Sequence, residues 1–295
     1  MSDLRGFTSL SERLSPAEMV ELLNAYLGEM SDVVVAHGGT IIEFIGDAIL
    51  ALFGVPEPGD DDALRALACA AEMQVALDRF NEEHATRGVP ELQMGVGLNT
   101  GAVIVGNIGS ATRMKYGVVG DAVNLAARVE SFTVGGEVLM SEATRRAAGD
   151  EVQARGPIEV RAKGKSEPLR LHALTHVGGA YDLDVPAEAA AVSDLVEVSL
   201  PVECYRVDGK EVASAPLVGE AVALGPSGAD LRLPGELTVF DNVKLRLLPP
   251  GKGPIDDVYA KVVETKPGGA GDGDRTRVRF TSVPDAARRR IEEGL

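Results

Sequence analysis

Apolar residues recur every three or four positions in two parts of the first half of the chain, which is the spacing of an amphipathic helix. The first pattern runs from Pro16 to Ala36, where Ser15 supplies an N-cap and Pro16 suits the first helical position. The second begins at Asp60-Asp61-Asp62, three acids that suit the positive end of a helix dipole, and ends near Glu83. Two helices are therefore predicted.

Two short apolar runs, at residues 41–45 and 48–53, flank the dipeptide Gly46-Asp47. Because Gly46 permits a tight turn, the pattern predicts a β-hairpin that carries the carboxylate of Asp47 at its tip. Further strand-like runs and one more helix follow, at residues 92–98, 101–105, 138–140 and 158–174 and at residues 124–132. Strands and helices thus mix in an α+β order.

The composition changes after His176. Residues 178–193 are rich in Ala, Pro and acids, which is typical of a linker. From residue 194 to 295, period-two runs separated by Gly and Pro predict a small β-barrel, closed by a helix over Pro284–Glu293. The sequence therefore predicts two domains, at residues 1–177 and 194–295.

The length of the chain agrees with this division, and its net charge disfavours some classes of partner. A chain of 295 residues matches two domains at about 150 residues each. The 29 Lys and Arg against 45 Asp and Glu give a net charge of −16, which disfavours a nucleic-acid or anionic membrane surface. No basic-then-apolar stretch opens the chain and no uncharged run approaches the ~18 residues of a membrane span, so a soluble protein is expected. With only Cys69 and Cys204, far apart, we expect reduced thiols in a cytoplasmic protein.

Candidate chemistry lies at strand ends and on one helix. Asp3 precedes a Gly-Phe-Thr turn, and Asp47 lies at the hairpin tip, so neighbouring strands would bring together two carboxylates suited to Mg²⁺. Asn124 and Arg128 are four residues apart and share a helical face. Taken singly, such an aspartate is more often a turn or cap residue, and such an arginine more often pairs with an acid.

Together these motifs resemble the catalytic domain of the class III adenylate and guanylate cyclases, from Asp3 to about Leu174. Five motifs occur in family order, namely Asp-Leu-Arg-Gly-Phe-Thr (3–8), Phe-Ile-Gly-Asp-Ala (44–48), Gly-Leu-Asn-Thr-Gly (97–101), Gly-Asp-Ala-Val-Asn-Leu-Ala-Ala-Arg (120–128) and Lys-Gly-Lys-Ser-Glu-Pro (163–168). One alone would be weak, but five in order are specific. The resemblance implies a ferredoxin-like α+β domain.

In that family the ribose 3′-hydroxyl attacks the α-phosphate of the same nucleotide and expels pyrophosphate, so the resemblance implies a purine nucleotide cyclase acting on GTP or ATP. It implies two Mg²⁺ or Mn²⁺ ions per site, held by Asp3, Asp47 and the backbone carbonyl of Leu4. Asn124 would orient the ribose, and Arg128 would stabilise charge on the α-phosphoryl oxygens. In the family these two groups meet across a dimer interface, so a homodimer is implied as well.

The resemblance also implies phosphate contacts at two places. The turn Gly6-Phe7-Thr8 offers backbone N–H groups at the start of a helix, where the dipole favours anions. Lys163 and Lys165 would contact the terminal phosphates.

Two positions bear on the choice of base. Adenylate cyclases of this family carry a lysine four residues before the hairpin aspartate, whereas this chain has Glu43, as guanylate cyclases do. A carboxylate can accept from guanine N1–H and N2–H. The second base-selecting position, four residues before Asp121, is Gly117. Glycine has no side chain that could collide with the base, and none that could contact guanine O6. GTP is therefore favoured, with an adenylate cyclase or a promiscuous cyclase as the alternative if Glu43 only faces solvent.

The start of the chain departs from the family. Met1-Ser2 stands where family members have most of a central strand before the first metal aspartate, so the N-terminal strand is expected to be truncated. Either the natural protein is longer, with a regulatory domain upstream, or the start is misassigned. A catalytically weak nucleotide-binding or regulatory module is the second hypothesis. A purely structural protein is the third and requires the ordered motifs to be coincidence.

The second region resembles a PilZ-type barrel, chiefly at residues 224–233 and 277–291. The arginine-rich motif through which that family binds cyclic di-GMP is missing, since Leu195–Tyr205 contains no arginine. The Asp/Asn-x-Ser-x-x-Gly motif survives only as Gly225-Pro-Ser-Gly-Ala-Asp230. Tight binding of cyclic di-GMP is therefore not expected, and we expect this domain to bind a partner or to have a packing role.

Overall fold

The computed structural model describes residues 1–7, 10, 14–85, 91–160, 168–186, 192–208, 211–235, 237–267 and 274–294. The chain divides into two compact units, Met1–Ala190 and Ala191–Leu295. None of the helices in these described ranges is long and apolar enough to cross a membrane.

The first unit combines helices with a main sheet and a separate hairpin. Its helices are α1 (Pro16–Ala36), α2 (Asp62–Ala85), α3 (Asp121–Phe132), α4 (Glu142–Ala147) and a 3-10 turn at Gly149–Glu151. Its strands are β1 (Ser2–Leu4), β2 (Thr40–Ile45), β3 (Ala48–Leu52), β4 (Met94–Leu98), β5 (Ile104–Ser110), β6 (Arg113–Val119), β7 (Val138–Ser141), β8 (Val152–Val160), β9 (Leu169–Val177) and β10 (Leu183–Asp184).

Helix α1 begins where the sequence predicts it. The Ser15 side chain accepts from the Glu18 N–H, and the Glu18 side chain accepts from the Ser15 N–H at 2.9 Å, which forms a capping box. Its inner face packs against α2 and the sheet. The side chains in this part of the core are almost fully buried, and they include Tyr26 and Met30 of α1, Leu67 of α2, Met94 of β4 and Met140 of β7.

The main sheet has the order β10-β9-β7-β4-β1-β3-β2, with β8 paired to β9. Strand β1 comprises three residues, yet it lies between β3 and β4 and is antiparallel to both, with Ser2 opposite Ile49 and Val96. The order β4-β1-β3-β2, with α1 after β1 and α2 after β3, is the ferredoxin-like arrangement. The predicted α+β fold is therefore confirmed.

Two local expectations differ from the structure. The strand predicted at residues 101–105 begins at Ile104 and continues to Ser110, because it forms a hairpin with β6 in which Ile104 pairs with Val119 and Ser110 with Arg113. The predicted linker begins at Gly178, yet β10 pairs with β9 within it, and Tyr181, Leu183 and Val185 pack against the core of the first unit. Burial of these apolar side chains holds residues 181–185 on that unit.

The second unit is a closed barrel. Its elements are β11 (Val196–Asp208), β12 (Glu211–Val212), β13 (Leu217–Gly225), β14 (Gly228–Leu233), β15 (Asn242–Leu247), β16 (Ile255–Lys266), β17 (Asp274–Ser282) and α5 (Asp285–Glu292). Six strands follow in the order β11-β13-β14-β17-β16-β15, and β15 pairs back to β11, with Val202 opposite Leu247. Ala287 and Ile291 of α5 join the barrel core. The predicted small barrel is confirmed.

Candidate active site

Asp3 and Asp47 lie side by side at the edge of the central strands. Asp3 is on β1, and Asp47 is in the turn between β2 and β3, where Gly46 adopts a φ of +67°. The Leu4 N–H donates to Asp47 Oδ2 at 3.0 Å, so the hairpin tip is tied to β1. The pairing of β1 with β3 thus brings together two carboxylates that are 44 positions apart in the sequence.

The electrostatics of this pair suit a divalent cation. Burial raises the pKa of Asp3 to about 6, and the neighbouring carboxylates of Glu130 and Asp47 contribute to the rise. Burial raises the pKa of Asp47 as well. Within the described ranges there is no cluster of three or more His, Cys, Asp or Glu that would form a protein-only metal cage. Two carboxylates without further side-chain ligands fit Mg²⁺, which is usually bound by one or two carboxylates together with substrate phosphates.

Arg5 lies against both this pair and helix α3. Its Nη1 is 3.6 Å from Asp3 Oδ2, and its Nη2 forms an ion pair with Glu130 and donates to Thr133 Oγ1 at 2.6 Å. Sequence reasoning missed these contacts, since Arg5 and Glu130 are separated by 125 positions and no periodicity links them. The only signal was that both residues lie in or beside the quoted motifs.

Asn124 and Arg128 lie on α3, as predicted. Asn124 is exposed, and Arg128 is half-buried with a buried Nη1 that has no hydrogen-bond partner in the described part of the chain. Among those residues, neither side chain bonds to Asp3 or Asp47 within this one protomer. A guanidinium nitrogen left without an acceptor is suited to an anionic group from outside the protomer.

A third contact involves one of the two positions relevant to base choice, Glu43. Lys115 on β6 donates from Nζ to Glu43 Oε1 on β2 at 2.5 Å, in a pair exposed to solvent. Gly117 is two residues further along β6, so it lies on the same face as Lys115. A Cβ built at Gly117 would stand 3.4 Å from Ile108 Cδ1, an ordinary contact, so space alone does not require glycine there. Sequence reasoning identified Glu43 and Gly117 but not Lys115.

The predicted phosphate contacts are described only in part. Gly6 has a φ of +70°, and its carbonyl accepts from the Leu10 N–H at 3.0 Å, while Phe7 packs against the core. Thr8, Lys163 and Lys165 lie outside the described residues.

Known proteins resemble both units. The sequence model of the adenylate and guanylate cyclase catalytic domain matches residues 1–173, and that of the PilZ domain matches residues 196–295. Among solved structures, the guanylyl cyclase Cya2 is 53% identical with a TM-score of 0.61, covering 62% of this chain and 93% of that chain. The adenylyl cyclase CyaB from P. aeruginosa is 37% identical with a TM-score of 0.58, over the same shares of the two chains.

Curated relatives are longer proteins. Adenylate cyclase 1 of Rhizobium meliloti (strain 1021) is 35% identical over 191 residues, which is 64% of this chain and 29% of that protein. The adenylate cyclase of Anabaena cylindrica is 38% identical over 179 residues, which is 58% of this chain and 35% of that protein. The similarity is therefore confined to about a third of each relative.

Proposed function

Since the chain belongs to the adenylate and guanylate cyclase catalytic domain family over residues 1–173, we propose that it converts a purine nucleoside triphosphate to the 3′,5′-cyclic monophosphate and pyrophosphate, with GTP preferred. The observation that carries this proposal is the pair of adjacent carboxylates, Asp3 and Asp47, joined through the Leu4 N–H. Two adjacent, partly buried acids, each with a pKa raised by burial, are costly to keep ionised unless a cation neutralises them.

In the proposed reaction, Asp3, Asp47 and the backbone carbonyl of Leu4 would hold two Mg²⁺ or Mn²⁺ ions. When bound, such ions lower the pKa of the ribose 3′-hydroxyl and offset the charge of the leaving pyrophosphate. Gly6 and Phe7, together with Thr8 in the sequence-based prediction, would offer backbone N–H groups to the phosphates. In the same prediction Lys163 and Lys165 would contact the terminal phosphates. The Leu4 N–H keeps one oxygen of Asp47 oriented before substrate arrives.

The other half of the site comes from a second copy of the chain. Asn124 orients the ribose, and Arg128, which is only half-buried, donates to the α-phosphoryl oxygens. A homodimer is supported by apolar side chains exposed on the β5–β6 hairpin and beside it, namely Phe44, Ile45, Ile104, Met114, Tyr116 and Val119. Exposed apolar groups concentrated in one region favour a protein interface.

The preference for GTP follows from Glu43. Its carboxylate can accept from guanine N1–H and N2–H, whereas adenine presents an acceptor at N1. Lys115 Nζ lies 2.5 Å from Glu43 Oε1, and this ion pair restricts the rotation of the carboxylate. The 53% identity to a protein described as a guanylyl cyclase supports the same choice. An adenylate or promiscuous cyclase is the second candidate, because the curated relatives from Rhizobium and Anabaena are adenylate cyclases.

A turnover assay tests the proposal. Purified protein is expected to form cyclic GMP and pyrophosphate from GTP in Mg²⁺ or Mn²⁺, faster than cyclic AMP from ATP, and to lose activity in a chelator. Chromatography of the products measures both rates. If neither triphosphate is cyclised while calorimetry detects nucleotide binding, the chain is a regulatory nucleotide-binding module instead.

The barrel is not proposed to bind cyclic di-GMP. Asp230, which occupies the last position of the divergent motif, is almost fully buried, and its carboxylate accepts from Arg277 Nε at 2.7 Å and Arg275 Nη2 at 3.1 Å. Arg277 holds the pKa of Asp230 below its usual range. The charges of both arginines are thus compensated within the barrel. Arg290 donates to the carbonyls of Gly253 and Pro254.

Calorimetry of the full chain with cyclic di-GMP is accordingly expected to give no micromolar or tighter binding. The physical reason is that the basic side chains named above already have acceptors, while Asp194, just before the first barrel strand, and Glu197, at its start, repel phosphates. A tight isotherm would contradict this, and its loss on replacing Arg288, Arg289 and Arg290 with Ala would locate the contacts.

A further inference from the structure

We propose that Arg5 is a positioning residue that couples the carboxylate of Asp3 to helix α3 through Glu130 and Thr133. The inference rests on the proposed cyclase function, in which Asp3 binds metal and α3 carries Asn124 and Arg128. Its consequence is that occupation of the carboxylate pair changes the order of α3.

The guanidinium of Arg5 bridges two elements that carry different parts of the machinery. Its side chain is 17% exposed and that of Glu130 is 9% exposed, so their ion pair is largely removed from water. Nη1 faces Asp3 Oδ2 at 3.6 Å, while Nη2 pairs with the Glu130 carboxylate and donates to Thr133 Oγ1 at 2.6 Å. The planar fork of arginine allows one side chain to reach both neighbours at once.

Thr133 is arranged to receive this contact. It follows the last residue of α3 and is fully buried, and its N–H and its hydroxyl both donate to the Glu130 carbonyl, at 2.8 and 2.7 Å. Because the hydroxyl hydrogen is used there, the Thr133 oxygen accepts from Arg5. Arg5 therefore bonds both the end of α3 and a side chain one turn before it.

Strand β4 leaves room for this cluster. Gly95 and Gly97 are two residues apart, so they share one face of the strand. A Cβ on Gly95 would collide with Thr133 Oγ1 and with the Arg5 guanidinium, and one on Gly97 would collide with the backbone of Glu130. Two glycines thus allow α3 and Arg5 to lie directly on the sheet.

Stability alone does not explain a buried ion pair at this place. Desolvation of two charges offsets most of their attraction, so apolar side chains of similar volume hold a helix on a sheet at least as well. A charged link has a different property, because it responds to the charge of Asp3 next to it.

Arg128 is two residues before Glu130 on α3, so the link reaches the residue proposed to contact the α-phosphate. In a shared-site homodimer, Asp3 and Arg128 of one protomer belong to different sites.

Hydrogen exchange tests the coupling without relying on turnover. Titration of the wild-type chain with Mn²⁺ is expected to slow amide exchange in β1 and in α3, although α3 supplies no metal ligand. In Arg5→Gln and Glu130→Gln the slowing is expected to remain at the hairpin tip and to be lost in α3. Arg146→Gln, which removes an exposed arginine–glutamate pair at 2.9 Å, is the matched control and should respond as the wild type does.

Kinetics give a second readout. Arg5→Gln and Thr133→Val are expected to lower kcat or to raise the half-activating Mn²⁺ concentration by about 10–100-fold, as for other residues that orient metal ligands, with little change in KM for the nucleotide. Thr133→Ser restores the acceptor oxygen and should recover most of the loss. Thermal melting checks that each variant is folded.

The outcomes separate the two proposals. An exchange response of α3 to Mn²⁺ that persists in both Arg5→Gln and Glu130→Gln, or that is absent from the folded wild type, overturns the coupling. A response that Arg5 controls, in a wild type that forms no cyclic nucleotide, supports the coupling and overturns the cyclase function.

Discussion

Mixing the Asp47→Ala and Arg128→Ala variants is expected to restore cyclase activity that neither has alone. Each substitution removes one half of the proposed site, and loss of Arg128 alone should lower kcat by at least about 10²–10³-fold. If subunits exchange randomly, half of the dimers are heterodimers with one intact site, so the mixture should recover about a quarter of the wild-type rate. The initial rate of cyclic nucleotide formation, measured after mixing in equal amounts, checks this.

The structure supplies a matched control for the mixing experiment. Asp3 and Asp47 lie together on β1 and the β2–β3 turn, so both belong to the same half-site. A mixture of Asp3→Ala with Asp47→Ala should therefore stay inactive, whereas Asn124→Ala with Asp47→Ala should recover. If no mixture recovers while light scattering finds folded dimers, the site is not shared between protomers.

Replacing Glu43 is expected to change the preferred nucleotide. Glu43→Lys removes the acceptor for guanine N1–H and N2–H and supplies a donor for adenine N1, and mismatched polar groups of this kind discriminate by about 10³-fold or more. GTP turnover should fall and relative ATP turnover should rise. The ratio of kcat/KM for the two nucleotides measures the effect.

The positive charge of Lys115 is expected to affect the Glu43→Lys variant. In Glu43→Lys two ammonium groups would stand where an ion pair is now found, so repulsion would displace the new lysine. The double variant Glu43→Lys with Lys115→Gln should therefore cyclise ATP faster than the single variant. A wild type that prefers ATP, together with variants of unchanged selectivity, would show that Glu43 does not contact the base.

Local patterns in the sequence predicted the elements well where neighbouring residues decide the structure. Ser15 and Glu18 cap α1 through bonds that span three positions, and Gly46 permits the turn that carries Asp47. The extent of β5 was misjudged, and β10 was not predicted, because each strand depends on a partner strand or on core contacts outside its own segment. Period-two runs predicted a barrel, but closure needs β11 to pair with β15, at a separation that periodicity does not encode.

Residue patterns and ordered motifs predicted an α+β cyclase-type domain followed by a PilZ-like barrel, and they identified the aspartates, the asparagine and the arginine that are candidates for the chemistry. Ordered motifs carry that information because each one is short and local. The neighbours of those residues follow from the folded structure instead. Arg5 meets Glu130 across 125 positions, and Lys115 meets Glu43 across 72. Such contacts are created by sheet order and helix packing, so a side chain's neighbours become known only when the strands are placed.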